Sequence, residues 1–211
     1  MIPRIDDRIK AIATGGFRVE VYDEDGELVA KQCKEAGDMI LSNFEALLNG
    51  LLHGAGFASS GSAAIALFDT TNTNYNFNQI DFSKCSAEAA ENDDSYGIQV
   101  GSGSTQPAFN DYKLGNQIKN DVLQYGACTY QDFGSPPNVK PGCSRKFTNN
   151  GSSNVSVSEI GLVVLIEGTQ PGGNTGSCKC LMMHDVISTI SVPAGGILNV
   201  EYFFNLNPST S

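Results

Sequence analysis

Six cysteines, two histidines and a few glycine and acidic clusters are the residues of this chain whose types and spacing could do chemistry. Cys33, Cys85, Cys128, Cys143, Cys178 and Cys180 are an even set, so all six are disulfide candidates, with no pairing singled out by their spacing. Reduced, half-buried thiols on strands are the other reading. Cys178-Lys-Cys180 would put two thiolates on one face of a strand, a beginning for a soft-metal site. A tetrahedral zinc centre needs further ligands, and neither His53 nor His184 stands at metal-ligand spacing. No metal is therefore expected. Gly101-Ser-Gly103 follows an apolar segment as a dinucleotide loop would, but position 106 is Gln106 and Pro107 stands where a helix should open, so a Gly-rich bend is expected and no cofactor. Asp23-Glu-Asp-Gly26 puts Val21 where an EF-hand needs its first aspartate and reads as a hairpin turn. Glu91-Asn-Asp-Asp94 reads as a solvated acidic loop, weak calcium binding being the alternative. Nucleophilic catalysis requires a base beside the nucleophile, and neither histidine adjoins a Gly-x-Ser-x-Gly turn or an activated cysteine signature. No catalytic residue is assigned, and the chain is expected not to be an enzyme.

The segments that would have to position such groups are mostly strands. Phe17 to Tyr22 alternates apolar and polar residues, Asp23 to Gly26 turns, and Glu27 to Cys33 returns, the pattern of a β-hairpin. Ser42-Asn-Phe-Glu45 matches a capping box and predicts one short helix near residues 43–53. Phe44, Leu47, Leu48, Leu51 and Leu52 would form its apolar face and Gly54 its stop. Further strands are predicted at 63–68, 96–100, 120–130, 155–166, 179–190 and 197–206, separated by Gly, Pro, Ser and Asn clusters. The expected fold class is mainly β, a β-sandwich or jelly-roll. Its domain covers 17–211, with long loops at 69–95 and 131–153 that read as contact surfaces. Residues 1–16 read as an N-terminal arm ending in a flexible Gly15-Gly16 joint. Its Ile2, Ile5, Ile9 and Ile12 recur at helical steps, for assembly against a neighbour or for packing on the chain's own core.

Charge and hydropathy narrow the partners. Against 23 acidic residues stand 13 Lys and Arg, a net charge of −10 that repels a phosphate backbone, so nucleic acid is not an expected partner. The longest strongly apolar run, Ile160 to Ile166, is far short of the ~20 residues a membrane helix needs. No membrane span is expected. The opening residues mix Asp6, Asp7, Arg8 and Lys10 into the apolar positions, so no signal peptide is expected.

Four stretches, taken in order, carry a resemblance. They are Gly37 to Leu52 after the first hairpin; Ile98 to Asp111 with its Gly-x-Gly, Pro107, Asp111 and then Leu114; Ser158-Glu-Ile-Gly-Leu162; and Asp185 to Val200 with a Pro193 to Gly196 turn. Together they resemble virion structural proteins of tailed phages and related prokaryotic viruses. The resemblance implies a non-catalytic, self-assembling capsid or capsid-decorating subunit, synthesised in the host cytoplasm and resident in the virion. It also implies a homo-oligomer with other virion proteins as partners and a last stretch shaped as a closing hairpin. A tail or fibre component is the alternative, or an appendage module binding a host-surface glycan or receptor through Tyr75, Phe77, Tyr130 and Phe133 of the long loops. Insertions at 69–95 and 128–153 depart from the compact version of the pattern and leave the position in the particle open. Deleting residues 1–14 is expected to leave a soluble β-rich monomer with a cooperative thermal transition but no assembly, as measured by calorimetry and light scattering.

Overall fold

The computed structural model describes residues 14–35, 39–52, 64–135 and 139–205. Ile2, Ile5, Ile9 and Ile12 of the expected arm, with His53 and Gly54, lie outside them. Strand alternation builds the first hairpin: in β1 (Thr14–Tyr22), Phe17, Val19 and Val21 are buried, while Arg18 and Glu20 occupy the opposite face. β2 (Leu28–Lys34) returns beside it, and Glu20 meets its opposed partner Lys31 at 2.8 Å. Asp23 Oδ1 accepts the N–H groups of Asp25 and Glu27 across the turn, where Gly26 takes φ +82°.

The helix α1 (Ser42–Leu52) follows the two-residue β3 (Met39–Ile40). After it come β4 (Ile65–Phe68), β5 (Asn74–Phe77), β6 (Gln79–Ile80) and β7 (Gly97–Gly101). Then follow the long strands β8 (Gln124–Phe133), β9 (Lys140–Thr148), β10 (Val155–Thr169), β11 (Thr175–Val192) and β12 (Ile197–Asn205). One antiparallel sheet has the order β2-β1-β12-β9-β8; the other has the order β3-β11-β10-β6, with β7 also paired to β10. β4 and β5 form a separate hairpin. Side chains of both large sheets meet in one core, Val19, Phe147 and Val200 from the first and Ile98, Ile160 and Met182 from the second. The protein is mainly β, with one short helix among the described residues, and of the two expected architectures the sandwich is the one this topology supports.

Several expectations are corrected. Gly15 and Gly16 are not a joint after an arm: they pair with Phe204 and Phe203 inside β1. A Cβ on Gly16 would come within 2.5 Å of the Phe203 ring, so close packing explains the glycine. The capping box is absent, because Ser42 gives its N–H to Phe109 O and the N–H of Glu45 goes to Leu41 O. The helix buries Asn43 and packs Phe44, Ala46 and Leu47 on the core, while Leu48 is only half-buried. Neither 69–95 nor 131–153 is a free loop. The first contains β5 and β6, and the second contains the end of β8 and all of β9, whose inward-facing row is Cys143, Arg145 and Phe147. An arginine in an inward row hides the alternation, and Pro141-Gly142 mimics a turn. Pro193 to Gly196 does turn, Gly196 N–H bonding Pro193 O at 3.0 Å, but β11 and β12 belong to different sheets. That last stretch is therefore a crossing between layers, not a hairpin.

Arg145 itself is 1% exposed. Its guanidinium stacks 4.6 Å from the Tyr125 ring and donates to the carbonyls of Gly126, Tyr96, Ile98, Ala90 and Asp93 at 2.5–3.2 Å. Burial pulls its pKa below the ordinary arginine value, with nearby groups including Asp93 and Asp94 opposing the shift. Beside it, the segment 88–92 covers the outer edge of β8. Asn92 N–H bonds Tyr125 O, Cys128 N–H bonds Ala89 O, and Tyr130 N–H bonds the Glu88 carboxylate. Arg145→Met would leave those five carbonyls without their donor, and a loss of at least about 3 kcal/mol is expected in urea unfolding. A loss under about 1 kcal/mol would mean that water replaces the guanidinium without cost.

Candidate functional site

Ionisable side chains cluster in the interior where β10, β11 and the chain after β7 meet. The register sets Gly161 of β10 opposite His184 of β11, with Glu159 two residues away on the same face of β10. His184 Nδ1 lies 2.9 Å from Asp111 Oδ2, and Nε2 lies 3.2 Å from Glu159 Oε2. Glu159, 1% exposed, also accepts the N–H groups of Gly103, Gly115 and Asn116 at 2.7–2.9 Å, and Ser158 Oγ donates to Gly103 O at 2.8 Å. One carboxylate thus gathers a loop that departs at Gly101 and returns at Gln117, where a bridge to Gly101 closes it. A Cβ on either Gly101 or Gly103 would collide with that carboxylate, and one on Gly161 would stand 2.8 Å from the Leu114 side chain. The Gly-x-Gly, Asp111, Leu114 and Ser-Glu-Ile-Gly-Leu elements of the sequence are therefore parts of one packed unit. Sequence reasoning named most of these residues but did not connect them, and it left His184 alone on its strand.

The electrostatics of this cluster are those of a clamp. Burial pulls the His184 pKa down, but hydrogen bonds to Glu159 and Asp111 and their charges outweigh it and leave the value raised. Burial pushes Glu159 up, while the bonds from His184, Asn116, Gly115 and Gly103 outweigh it and bring the pKa down to about 2. Both imidazole nitrogens face carboxylates and the ring is 3% exposed, so the group positions the loop and presents no free nitrogen to a substrate.

What the clamp displays is an apolar surface. Asp111 Oδ2 also accepts the N–H of Ala108, closing a tight turn whose Phe109 is 50% exposed. Phe109 O receives the N–H of Ser42 at the start of α1. Next to it, Asn43 exchanges hydrogen bonds with the backbone of Phe68, an exposed side chain, and also donates to Leu181 O. Two phenylalanines are thus held in the open beside the N-terminus of the helix.

A second surface feature is an open polar cleft of about 440 Å³, lined by Gln79, Asp81, Phe82, Lys84, Glu167 and Thr175 among others. Asp81 pairs with Lys84 at 3.2 Å, and Phe82 is 49% exposed. Of the aromatic residues expected as glycan contacts, Phe77 is fully buried, Tyr75 stacks on it, and Phe133 packs against Phe203. Only Tyr130 of those four is exposed. Phe82 escaped notice because Asp81 to Lys84 carries no periodic signal.

All six cysteines are thiols here. Cys178 Sγ and Cys180 Sγ stand 2.9 Å apart on one face of β11, Cys85 is half-buried, and Cys33 is exposed on β2. Among the described residues no group of three or more His, Cys, Asp or Glu is arranged to hold a metal ion, and no helix is long and apolar enough to cross a membrane. No protein family, curated protein or solved structure matches the chain.

The pH dependence of stability follows from the two shifts. A raised His184 contributes stability that is present below the unfolded value of about 6.5 and is lost as pH rises through its folded value. A depressed Glu159 contributes stability that is present above about 4.5 and is lost as pH falls towards about 2. Urea unfolding across pH should show both limbs. Glu159→Gln should flatten the acid limb and cost about 3 kcal/mol at pH 6, because His184 loses a buried partner.

Proposed function

We propose that this chain is a virion structural protein, a non-catalytic subunit that assembles into or onto a capsid together with copies of itself and other virion proteins. The observation that carries the reading is the convergence of the resembling stretches. The Gly-x-Gly bend, Asp111, Leu114, the Ser158 to Leu162 strand and the residue preceding Asp185 form one clamped unit. It holds the turn that exposes Phe109, and Asn43 holds the backbone of the exposed Phe68, two apolar side chains beside the start of α1 that suit a contact between subunits. The net charge of −10 favours a place on the outer face of a shell over one against packaged DNA.

Purified protein examined by light scattering and negative-stain electron microscopy should show a discrete oligomer, a lattice or a filament. Phe68→Ser combined with Phe109→Ser should reduce that assembly at least tenfold with little change in thermal midpoint. A wild-type chain that stays monomeric and does not decorate capsids of its source virus would refute the reading.

The cleft around Phe82 favours a second reading, an appendage module that holds a glycan. An aromatic face beside carboxylates, an amide and hydroxyls offers both the apolar and the hydrogen-bonding surface a sugar ring uses. Glycan-array binding that disappears in Phe82→Ala would support it, and an array without signal would dismiss it.

A further inference from the structure

Cys128 and Cys143 lie on neighbouring antiparallel strands of the first sheet. Cys128 is opposite Arg145 and Cys143 is opposite Tyr130, so the two are diagonal neighbours on the inward face. The ladder is irregular between Tyr125 and Cys128, and the two thiols lie close enough that each is the largest influence on the other's titration. Both are buried, at 2% and 7% exposure. The other four differ. Cys33 stands exposed on the opposite edge strand of the same sheet, bonded to Glu35. Cys178 and Cys180 share one strand two residues apart, where a bond between them would join no separate elements. Cys85 donates to Asp81 O at 3.4 Å.

We propose that Cys128 and Cys143 are an oxidisable pair that forms a disulfide, stapling the edge strand β8 to β9 beside Arg145. This proposal is independent of the assembly reading. The local electrostatics suit the chemistry: the neighbouring Cys143 thiol outweighs burial and, with the Arg145 guanidinium, brings the Cys128 thiol down to about 7, while Cys143 is pushed up. With glutathione disulfide as oxidant, the Cys128 thiolate attacks one sulfur, forming a mixed disulfide and releasing one glutathione thiolate. Cys143 then loses its proton and attacks the Cys128 sulfur, forming the protein disulfide and releasing the second glutathione. Two protein thiols are oxidised by two electrons, and one external disulfide is reduced to two thiols. Because both sulfurs are buried, glutathione disulfide reaches Cys128 only when the covering segment 88–92 lifts from β8, which leaves Cys128 beside Cys143 and Arg145, and that opening limits the rate.

The site is where several segments meet. A Cβ on Gly97, at the start of β7, would stand 3.0 Å from Cys128 Cβ, and the Cys128 N–H bonds Ala89 O. Oxidation would therefore fix the sheet edge together with the segment laid across it.

The test is to incubate the full chain with excess glutathione disulfide, alkylate the remaining thiols and digest with chymotrypsin, which cuts after Tyr130 and Phe133 between the two cysteines. Non-reducing mass spectrometry should find a linked pair of fragments carrying Cys128 and Cys143. The thermal midpoint of the oxidised protein should exceed that of the reduced protein by roughly 5–10 °C. Cys143→Ser should abolish the linked fragment and the shift. Recovery of both cysteines alkylated after oxidation would overturn the proposal, as would Cys128 joined to a different cysteine. If Cys143→Ser does not fold, the wild-type fragment map decides alone.

Discussion

A buried guanidinium is what the rest of this structure is arranged around. An arginine almost wholly removed from water is costly unless its donors are met, and here five main-chain carbonyls meet them. Those carbonyls come from two places, β8 itself and the segment Ala90 to Ile98. Satisfying Arg145 therefore fixes where that segment runs, and the segment in turn covers the outer edge of β8. An edge that would otherwise invite pairing is closed by the same interaction that neutralises the cost of the charge.

The second sheet has a buried charge of the opposite sign. Glu159 and His184 hold the chain just after β7, as Arg145 holds the chain just before and within it. β7 is buried along its length and connects the two groups, so a strand of the second sheet has its start anchored from the first. The two layers are linked by polar contacts as well as by their shared apolar core. Polar groups of this kind specify one arrangement, because any slip would strand a charge inside the protein.

Consequences for function run outward from these anchors. The clamp on the loop after β7 fixes the turn that displays Phe109, and Asn43 fixes Phe68 beside it. These bonds fix the backbone on either side of the two exposed rings, so that their Cα positions are set by the fold. Cys128, a buried thiol, adjoins the first anchor, Arg145.

Patterns local in the chain were legible from the residues alone. Period-two alternation identified the first hairpin and most of the long strands, the Asp-Gly turn and the Pro193 to Gly196 turn fell where expected, and the apolar periodicity after Ser42 found the helix. Each depends only on neighbours a few residues away. β9 was not legible, because its core position is an arginine that satisfies itself with carbonyls 47–55 residues distant in Tyr96, Ile98, Ala90 and Asp93. Phe44 and Leu47 of the expected helix face do pack on the core, but the buried Asn43 was not legible, because its partners are in β4 and β11. Glu159 and His184 stood in the sequence as isolated polar residues on apolar strands, and Asp111 as part of a loop. Only tertiary structure could bring them together, since the free energy of a buried charge depends on which groups surround it, and those are selected by the fold rather than by adjacency in the chain.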